Sequence, residues 1–139
     1  MRPARSSVPE AEPLAIDASA MVEALIGTAA GAAVRRRMRN RELHAPAHLD
    51  AEVLSALGCL HRSGELPAAS VERALGELTS APICRHLLAG LLTGAWAARD
   101  KLRLVDALYV ELAEKIGATL LTTDARLARE CELAELATD

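Results

Sequence analysis

The chain has 139 residues, enough for one domain with a substantial core and too few for two comfortable ones. Its apolar content of 51% argues against disorder, and its net charge of −3 argues against a protein that holds nucleic acid by bulk charge alone. Its three cysteines, Cys59, Cys84 and Cys131, lie far apart without the spacing of a zinc site. With no apolar run as long as a membrane span and no signal peptide, we expect a cytoplasmic protein.

The N-terminal part predicts a leader followed by a strand and a helix. Residues 1–13 are rich in Pro, Ser and charge and are expected to be a flexible leader, with a single domain over 14–139. The apolar run 14–16 predicts a strand that ends at Asp17. Ser19 is then placed to cap the next helix, and Asp17 considered alone is also explained as a helix cap.

A basic run closes the following helical segment, which Gly27 and Gly31 divide. Arginines in a last helical turn complement the helix dipole, so a solvated helix end explains the run. The functional alternative is a basic rim that steers a phosphate backbone toward the site. Its members would be Arg35, Arg36, Arg37 and Arg39.

Residues 43–47 predict the second strand, and 49–63 predict an amphipathic helix that Gly64 ends. His44 and His48 lie near the end of that strand, but without a cysteine or a third histidine nearby they are not expected to bind a metal. Asp50 and Glu52 are roughly 200° apart around the helix, so periodicity alone leaves open which of them reaches a functional site.

The remaining segments continue the alternation. Residues 66–79 predict a second helix that makes a hairpin with the first, 83–87 a strand, 88–100 a helix, 125–133 a helix, and the tail from 134 a short edge strand or a frayed end. Between them, 102–124 predicts a helix followed by a strand over 118–121. The helix carries Asp106 in its first turn and Gly117 at its end. Its expected buried stripe is Val105, Leu108, Leu112 and Ile116.

Carboxylates recur where the predicted strands end and the helices begin. Asp17 and Asp124 follow strands, Asp106 heads a helix, and Glu52 or Asp50 begins another. Alternating strands and helices form right-handed crossovers around a parallel sheet, whose carboxyl edge is where ligands bind. Four carboxylates are therefore expected at one edge.

Such a cluster raises the pKa of its own members unless cations relieve the repulsion. An all-oxygen site without His or Cys suits Mg²⁺ or Mn²⁺, which commonly serve phosphate chemistry by activating water. The residues by themselves therefore indicate a metal-dependent phosphoryl hydrolase.

Four segments, 16–20, 45–57, 104–113 and 120–127, resemble in their order and spacing the motifs of PIN domains, specifically VapC-type toxin ribonucleases. The resemblance covers nearly all of the chain after the leader. It implies an α/β fold, a three-layer α/β/α sandwich with a mainly parallel sheet of four to five strands. The acidic set that it carries over is Asp17, Glu52, Asp106 and Asp124, with Asp17 and Asp106 as direct metal ligands and Glu52 chosen over Asp50. Ser19 and Thr123 match small hydroxyl positions beside the site.

The resemblance also implies an activity and partners. The expected protein is an Mg²⁺- or Mn²⁺-dependent endoribonuclease, neutralised by a cognate VapB-type antitoxin whose tail lies over the active site, and often a homodimer. The chain departs from the family pattern in a longer leader before Asp17 and in an early end after Leu133. Neither departure removes an acidic residue.

Three alternative functions can each be distinguished from a VapC-type toxin by one feature. A PIN nuclease that processes RNA without being a toxin would lack an adjacent antitoxin gene. A phosphorylatable receiver domain would need an acidic pair after the first strand and a late Lys, whereas Asp17 is followed by Ala18 and Ser19. An inactive interaction module would not bind metal.

Overall fold

The computed structural model describes residues 11–138, which form a parallel five-stranded sheet between two layers of helices. Of the predicted leader, residues 1–10 lie outside the described residues, and Pro13 already belongs to the first strand. The elements in chain order are β1 (Pro13–Ile16), α1 (Ala18–Ile26), α2 (Ala29–Met38), β2 (Glu42–Pro46), α3 (Leu49–Arg62), α4 (Ala68–Ser80), β3 (Ile83–His86), a 3-10 helix (Leu88–Leu91), α5 (Leu92–Ala97), α6 (Leu104–Ile116), β4 (Thr119–Thr122), α7 (Ala125–Glu130) and β5 (Ala134–Leu136).

The strand order is β3-β2-β1-β4-β5, with every neighbouring pair parallel. This confirms the predicted α/β class, and the 134–136 tail is an edge strand. β1 lies at the centre, and its Leu14, Ala15 and Ile16 are fully buried because helices cover both faces of a parallel sheet. The chain leaves β1 toward β2 on one side and returns at β4 on the other. The carboxyl end of β1 is therefore a topological switch point, where such sheets bind ligands.

The helices form two layers. α1, α2, α3 and α4 contact one another, whereas α5 and the 3-10 helix pack against α6, which lies across β1, β2 and β4. Leu49, Val53 and Leu57 of α3 are fully buried, as their spacing predicts. The single helix expected over 88–100 is divided instead into the 3-10 helix and α5. No helix within 11–138 has the length and apolarity needed to span a bilayer.

The rotation of α6 differs from the prediction. Its buried residues include Asp106, Tyr109, Leu112 and Ala113, whereas Val105, expected in the buried stripe, is 41% exposed. A hydrophobic pattern cannot anticipate this, because the helix turns a carboxylate inward at its first turn. Gly117 ends α6 in the left-handed conformation, with φ of 65°, as predicted.

The start of α1 also differs. Asp17, not Ser19, is the N-cap, and its side chain accepts a hydrogen bond from the Ala20 N–H. Ser19 lies within the first turn of the helix. The cap position therefore coincides with the first carboxylate of the predicted site.

Truncation of a central strand tests this architecture. Leu121 of β4 is fully buried beside β1, so Leu121→Ala is expected to lower the free energy of unfolding by about 2–5 kcal/mol through lost burial and a cavity. Leu87→Ala is the matched control, because Leu87 is 82% exposed and its loss is expected to cost within about 0.5 kcal/mol. Urea denaturation followed by circular dichroism measures both, and equal losses would contradict the assigned core.

Candidate active site

Asp17 lies at the carboxyl end of the central strand and is only 5% exposed. Its Oδ1 accepts hydrogen bonds from the Ser19 hydroxyl at 2.7 Å and the Ala20 N–H at 2.9 Å, and its Oδ2 accepts from the Thr122 hydroxyl at 2.5 Å. Burial raises the pKa of this carboxyl above its ordinary value, although the hydrogen bonds oppose the shift. All three donors are neutral, so they orient the charge without balancing it.

Two hydroxyl side chains join β4 to the start of α1. The Ser19 and Thr122 oxygens are 3.2 Å apart, and the Thr123 N–H donates to Ser19 Oγ at 3.1 Å. The hydroxyl beside Asp17 is therefore that of Thr122, the residue before the predicted Thr123, which contributes its backbone N–H. Thr122 is the last residue of β4, and its hydroxyl reaches Asp17 at the end of the neighbouring strand β1. The sequence alone does not reveal this alignment of the two strands.

Asp106 enters the same region from the first turn of α6 and is 9% exposed. Arg103 Nε donates to its Oδ2 at 3.0 Å, and Arg126 Nη2 donates to the same oxygen at 3.3 Å. Arg126 Nη2 also lies 3.7 Å from Asp124 Oδ2. One guanidinium thus sits between two of the predicted metal ligands.

Asp124 follows β4 and caps α7. Its Oδ1 accepts from the backbone N–H of Arg126 at 2.9 Å and of Leu127 at 3.4 Å. Its side chain remains 34% exposed. Asp124 is therefore held by the helix terminus while one oxygen faces the cleft and Arg126.

The structure separates Glu52 from Asp50. Glu52 Oε1 accepts a 2.6 Å hydrogen bond from the Tyr109 hydroxyl and lies 3.4 Å from His48 Nε2, and the His48 ring packs on Tyr109 at 4.6 Å between centroids. Asp50 instead accepts from Arg85 of β3 at 2.8 Å. Burial, then the bond to Glu52, raises the pKa of Tyr109, so the phenol stays protonated and can donate.

Electrostatic effects link these four carboxylates. The hydrogen bond to Asp106 and its charge raise the pKa of Arg103, and the charges of Asp124 and Glu52 contribute further. The Asp106 charge also contributes to the raised pKa of Asp17. The four carboxylates, Asp17, Glu52, Asp106 and Asp124, therefore act electrostatically on one region at the carboxyl edge of the sheet, which we call the acidic cleft.

The donors of the acidic cleft fit a hard divalent cation, since all four residues offer carboxylate oxygen. The buried Asp17 has no positive partner among its three hydrogen-bond donors, while Arg126 bridges Asp106 and Asp124. Both arginine side chains near Asp106 are substantially exposed, 67% for Arg103 and 42% for Arg126. They can therefore move aside without disturbing the core.

The predicted basic rim lies elsewhere. α2 ends just before β2 begins, so its last turn is at the amino edge of the sheet, opposite the acidic cleft. Arg35 bonds to the Ala24 carbonyl and pairs with Glu77, and Arg37 pairs with Glu135. On this topology Arg35, Arg36, Arg37 and Arg39 lie at the opposite edge of the sheet from the acidic cleft, so their role in substrate binding stays a prediction. Their place in the last turn fits the helix-dipole explanation.

The cations that do lie at the cleft were missed by sequence reasoning. Arg103 is three residues before Asp106, and Tyr109 three residues after it, so helical spacing puts all three on one face. That signal was available in the sequence. The approach of Arg126 depends on how α7 leaves β4, which no local pattern specifies.

Comparison with known proteins places this cleft in context. Residues 14–133 match the PIN domain family. Ribonuclease VapC3 of Mycobacterium tuberculosis is 56% identical over 130 residues, 93% of each chain, and ribonuclease VapC12 of that organism is 38% identical, covering 84% of this chain and 90% of its own. The crystal structure of PAE2754 from Pyrobaculum aerophilum covers 90% of this chain and 83% of that one, at 27% identity and a TM-score of 0.66. The chain therefore belongs to the PIN-domain family, and within it to the VapC group.

Proposed function

We propose that this chain is an endoribonuclease toxin of the VapC type, which hydrolyses RNA phosphodiesters at the acidic cleft. The observation that carries the proposal is the burial of Asp17 and Asp106 at the switch point of a parallel sheet, in a region on which the charges of Glu52 and Asp124 also act. The relatives' name, ribonuclease, supports the reaction class. It acts in the cytoplasm, where its RNA substrate is.

The cofactor is Mg²⁺ or Mn²⁺. Asp17 and Asp106 would hold it directly, and Glu52 and Asp124 would hold it through water or a second ion. When bound, the cation supplies a Lewis acid that makes water nucleophilic at neutral pH and offsets the negative charge of the phosphate. Soft metals are disfavoured in the cleft because its ligand set contains neither thiolate nor imidazole.

The chain's own residues position the charges. Thr122, Ser19 and the Ala20 N–H fix both oxygens of Asp17, and the protonated Tyr109 fixes one oxygen of Glu52. Such hydrogen bonds hold the carboxylates in place before substrate arrives, which reduces reorganisation during the reaction.

Arg103 and Arg126 contact the scissile region of RNA. Each bonds to Asp106 through an exposed guanidinium, whose planar fork also matches a phosphate. Both guanidinium groups are exposed, so Arg103 and Arg126 can leave Asp106 and bind the RNA backbone, which would offer them a replacement anion.

A VapB-type antitoxin neutralises the enzyme by covering the cleft. Two observations support an antitoxin. The relatives belong to the VapC group, and a shallow hollow of about 310 Å³ beside Glu52 is lined by Glu52, Arg103, Leu104 and Val105. Leu104 and Val105 are 45% and 41% exposed, which offers apolar contact beside the charges. A homodimer is expected as well. The alternative of a non-toxin RNA-processing nuclease is less favoured because curated relatives over nearly the whole chain are VapC ribonucleases.

Cleavage should depend on the cation and on Asp106. With purified antitoxin-free protein, Mg²⁺ or Mn²⁺ should support RNA cleavage and EDTA should stop it. Asp106→Asn should lower the rate on the order of 10³-fold, since several kcal/mol of charge stabilisation is lost. The exposed Asp100→Asn is the control and should retain activity. A folded, fully active Asp106→Asn protein would show that Asp106 is not part of the active site.

The pH dependence of stability tests the burial of Asp17. Its folded-state pKa is raised, so the folded protein binds more protons than the unfolded chain between the ordinary and the raised pKa, and the ionised side chain destabilises the fold above that window. In EDTA, Asp17→Asn should therefore raise the free energy of unfolding at pH 7.5. The gain should shrink as pH falls through the window. Asp100→Asn should show no such trend, and a pH-independent difference for Asp17→Asn would contradict the raised pKa.

Arg103 and Arg126 are expected to contribute to RNA binding more than to turnover. Arg103→Gln and Arg126→Gln should each raise KM for RNA more than they lower kcat, and each should reduce the slope of log binding constant against log salt by about 1. Arg39→Gln, at the opposite edge of the sheet, should change neither quantity. Steady-state kinetics and binding titrations over a salt series measure these effects. A changed slope only in Arg39→Gln would restore the basic-rim hypothesis.

A further inference from the structure

A second group of metal-binding side chains lies on the neighbouring strands β2 and β3. The parallel register pairs His44 with Cys84 and Pro46 with His86, so alternation along the strands puts His44, Cys84 and His86 on one face. Their ligand atoms all lie within 4.8 Å of one another. Among residues 11–138, this is the one set of three or more His, Cys, Asp or Glu side chains with ligand atoms so close.

A carboxylate stands behind one of these histidines. Glu42, two residues before His44 on the same face, has Oε1 at 2.6 Å from His44 Nε2. An ionised carboxylate only accepts hydrogen bonds, so Nε2 carries the proton and Nδ1 presents its lone pair. That Nδ1 lies 2.8 Å from His86 Nε2. Carboxylates behind metal-bound histidines orient the ring and raise its basicity in the same way.

We propose that His44 Nδ1, His86 Nε2 and Cys84 Sγ bind a Zn²⁺ ion, with Glu42 holding His44, at a site separate from the acidic cleft. Imidazole and thiolate are ligands that Zn²⁺ accepts and Mg²⁺ avoids. Three protein ligands leave the fourth tetrahedral position to water. The Cys84 thiol releases its proton to solvent when the thiolate binds. The two sites therefore select different ions.

The spacing of the two nitrogens is close to what the ion needs. Two nitrogens bound to one tetrahedral Zn²⁺ at its usual bond length are about 3.3 Å apart. The His44 and His86 nitrogens therefore have to separate by about 0.5 Å from their 2.8 Å hydrogen bond. His86 is half-buried and Cys84 exposed, so both side chains can adjust. Burial and the neighbouring His44 lower the pKa of His86, which favours the neutral imidazole that metals bind.

The proposed ion lies where it would stabilise the edge strand β3. β3 pairs with β2 alone and forms one edge of the sheet. Edge strands depend on one ladder of backbone hydrogen bonds and are the first to separate or to pair wrongly. An ion bound by His44 of β2 and by Cys84 and His86 of β3 links the two strands through their side chains, in addition to the backbone hydrogen bonds.

Cobalt spectroscopy of the full chain tests the site without reference to ribonuclease activity. With excess Mg²⁺ present to occupy the acidic cleft, one equivalent of Co²⁺ should produce thiolate-to-cobalt charge transfer in the near ultraviolet, and Zn²⁺ should bleach it. The acidic cleft has no thiolate and cannot produce that band. Cys84→Ser should abolish the band, whereas Cys59→Ser, the matched exposed cysteine, should keep it.

Two results would overturn the proposal: no charge-transfer band in the unmodified protein, or a band that survives in Cys84→Ser. A thermal measurement gives independent evidence. Zn²⁺ in the same Mg²⁺ buffer should raise Tm by several degrees, and the increase should be lost in Cys84→Ser and in His86→Gln. An equal Zn²⁺-dependent increase in all variants would place the ion elsewhere. Circular dichroism checks that each variant is folded.

Discussion

The burial of one carboxylate at the end of the central strand organises the acidic cleft. Asp17 follows β1, caps α1 and accepts a hydrogen bond from the Thr122 hydroxyl of β4, so it joins three elements at the switch point of the sheet. Burial raises the pKa of this carboxyl, and its neutral hydrogen-bond donors oppose the shift without neutralising the charge. A fold that retains such a group gives up stability in return for a preorganised charge, as is common at functional sites.

The arginines beside Asp106 explain how the cleft tolerates its charges. Arg103 and Arg126 both bond to Asp106, and Arg126 also approaches Asp124, so guanidinium groups stand where our proposal puts a cation. Their exposed side chains make this balance reversible. In the proposed reaction the same two residues change partners, from the enzyme's own carboxylates to the phosphates of RNA.

Features that depend on local sequence and features that depend on the fold separate clearly in this protein. The α3 stripe and the Gly117 stop follow from periodicity and backbone freedom, which are local properties, and the structure contains both. Val105 is exposed, contrary to the periodicity, because α6 turns Asp106 inward at its first turn. Charge alone suggests a role in substrate binding for the arginine run at the end of α2, but the topology puts that run at the other edge of the sheet.

Spacing within short segments is enough to predict the alternation of strands and helices, the α/β class and the acidic residues at element ends. Which side chains become partners depends instead on packing between distant segments. Glu52 reaches Tyr109 while Asp50 is bound by Arg85, and Thr122 rather than Thr123 presents its hydroxyl to Asp17. His44 and Cys84 are forty positions apart in the chain, and parallel pairing of β2 with β3 makes them neighbours. Strand register is set by contacts across the whole core, so no local pattern contains it.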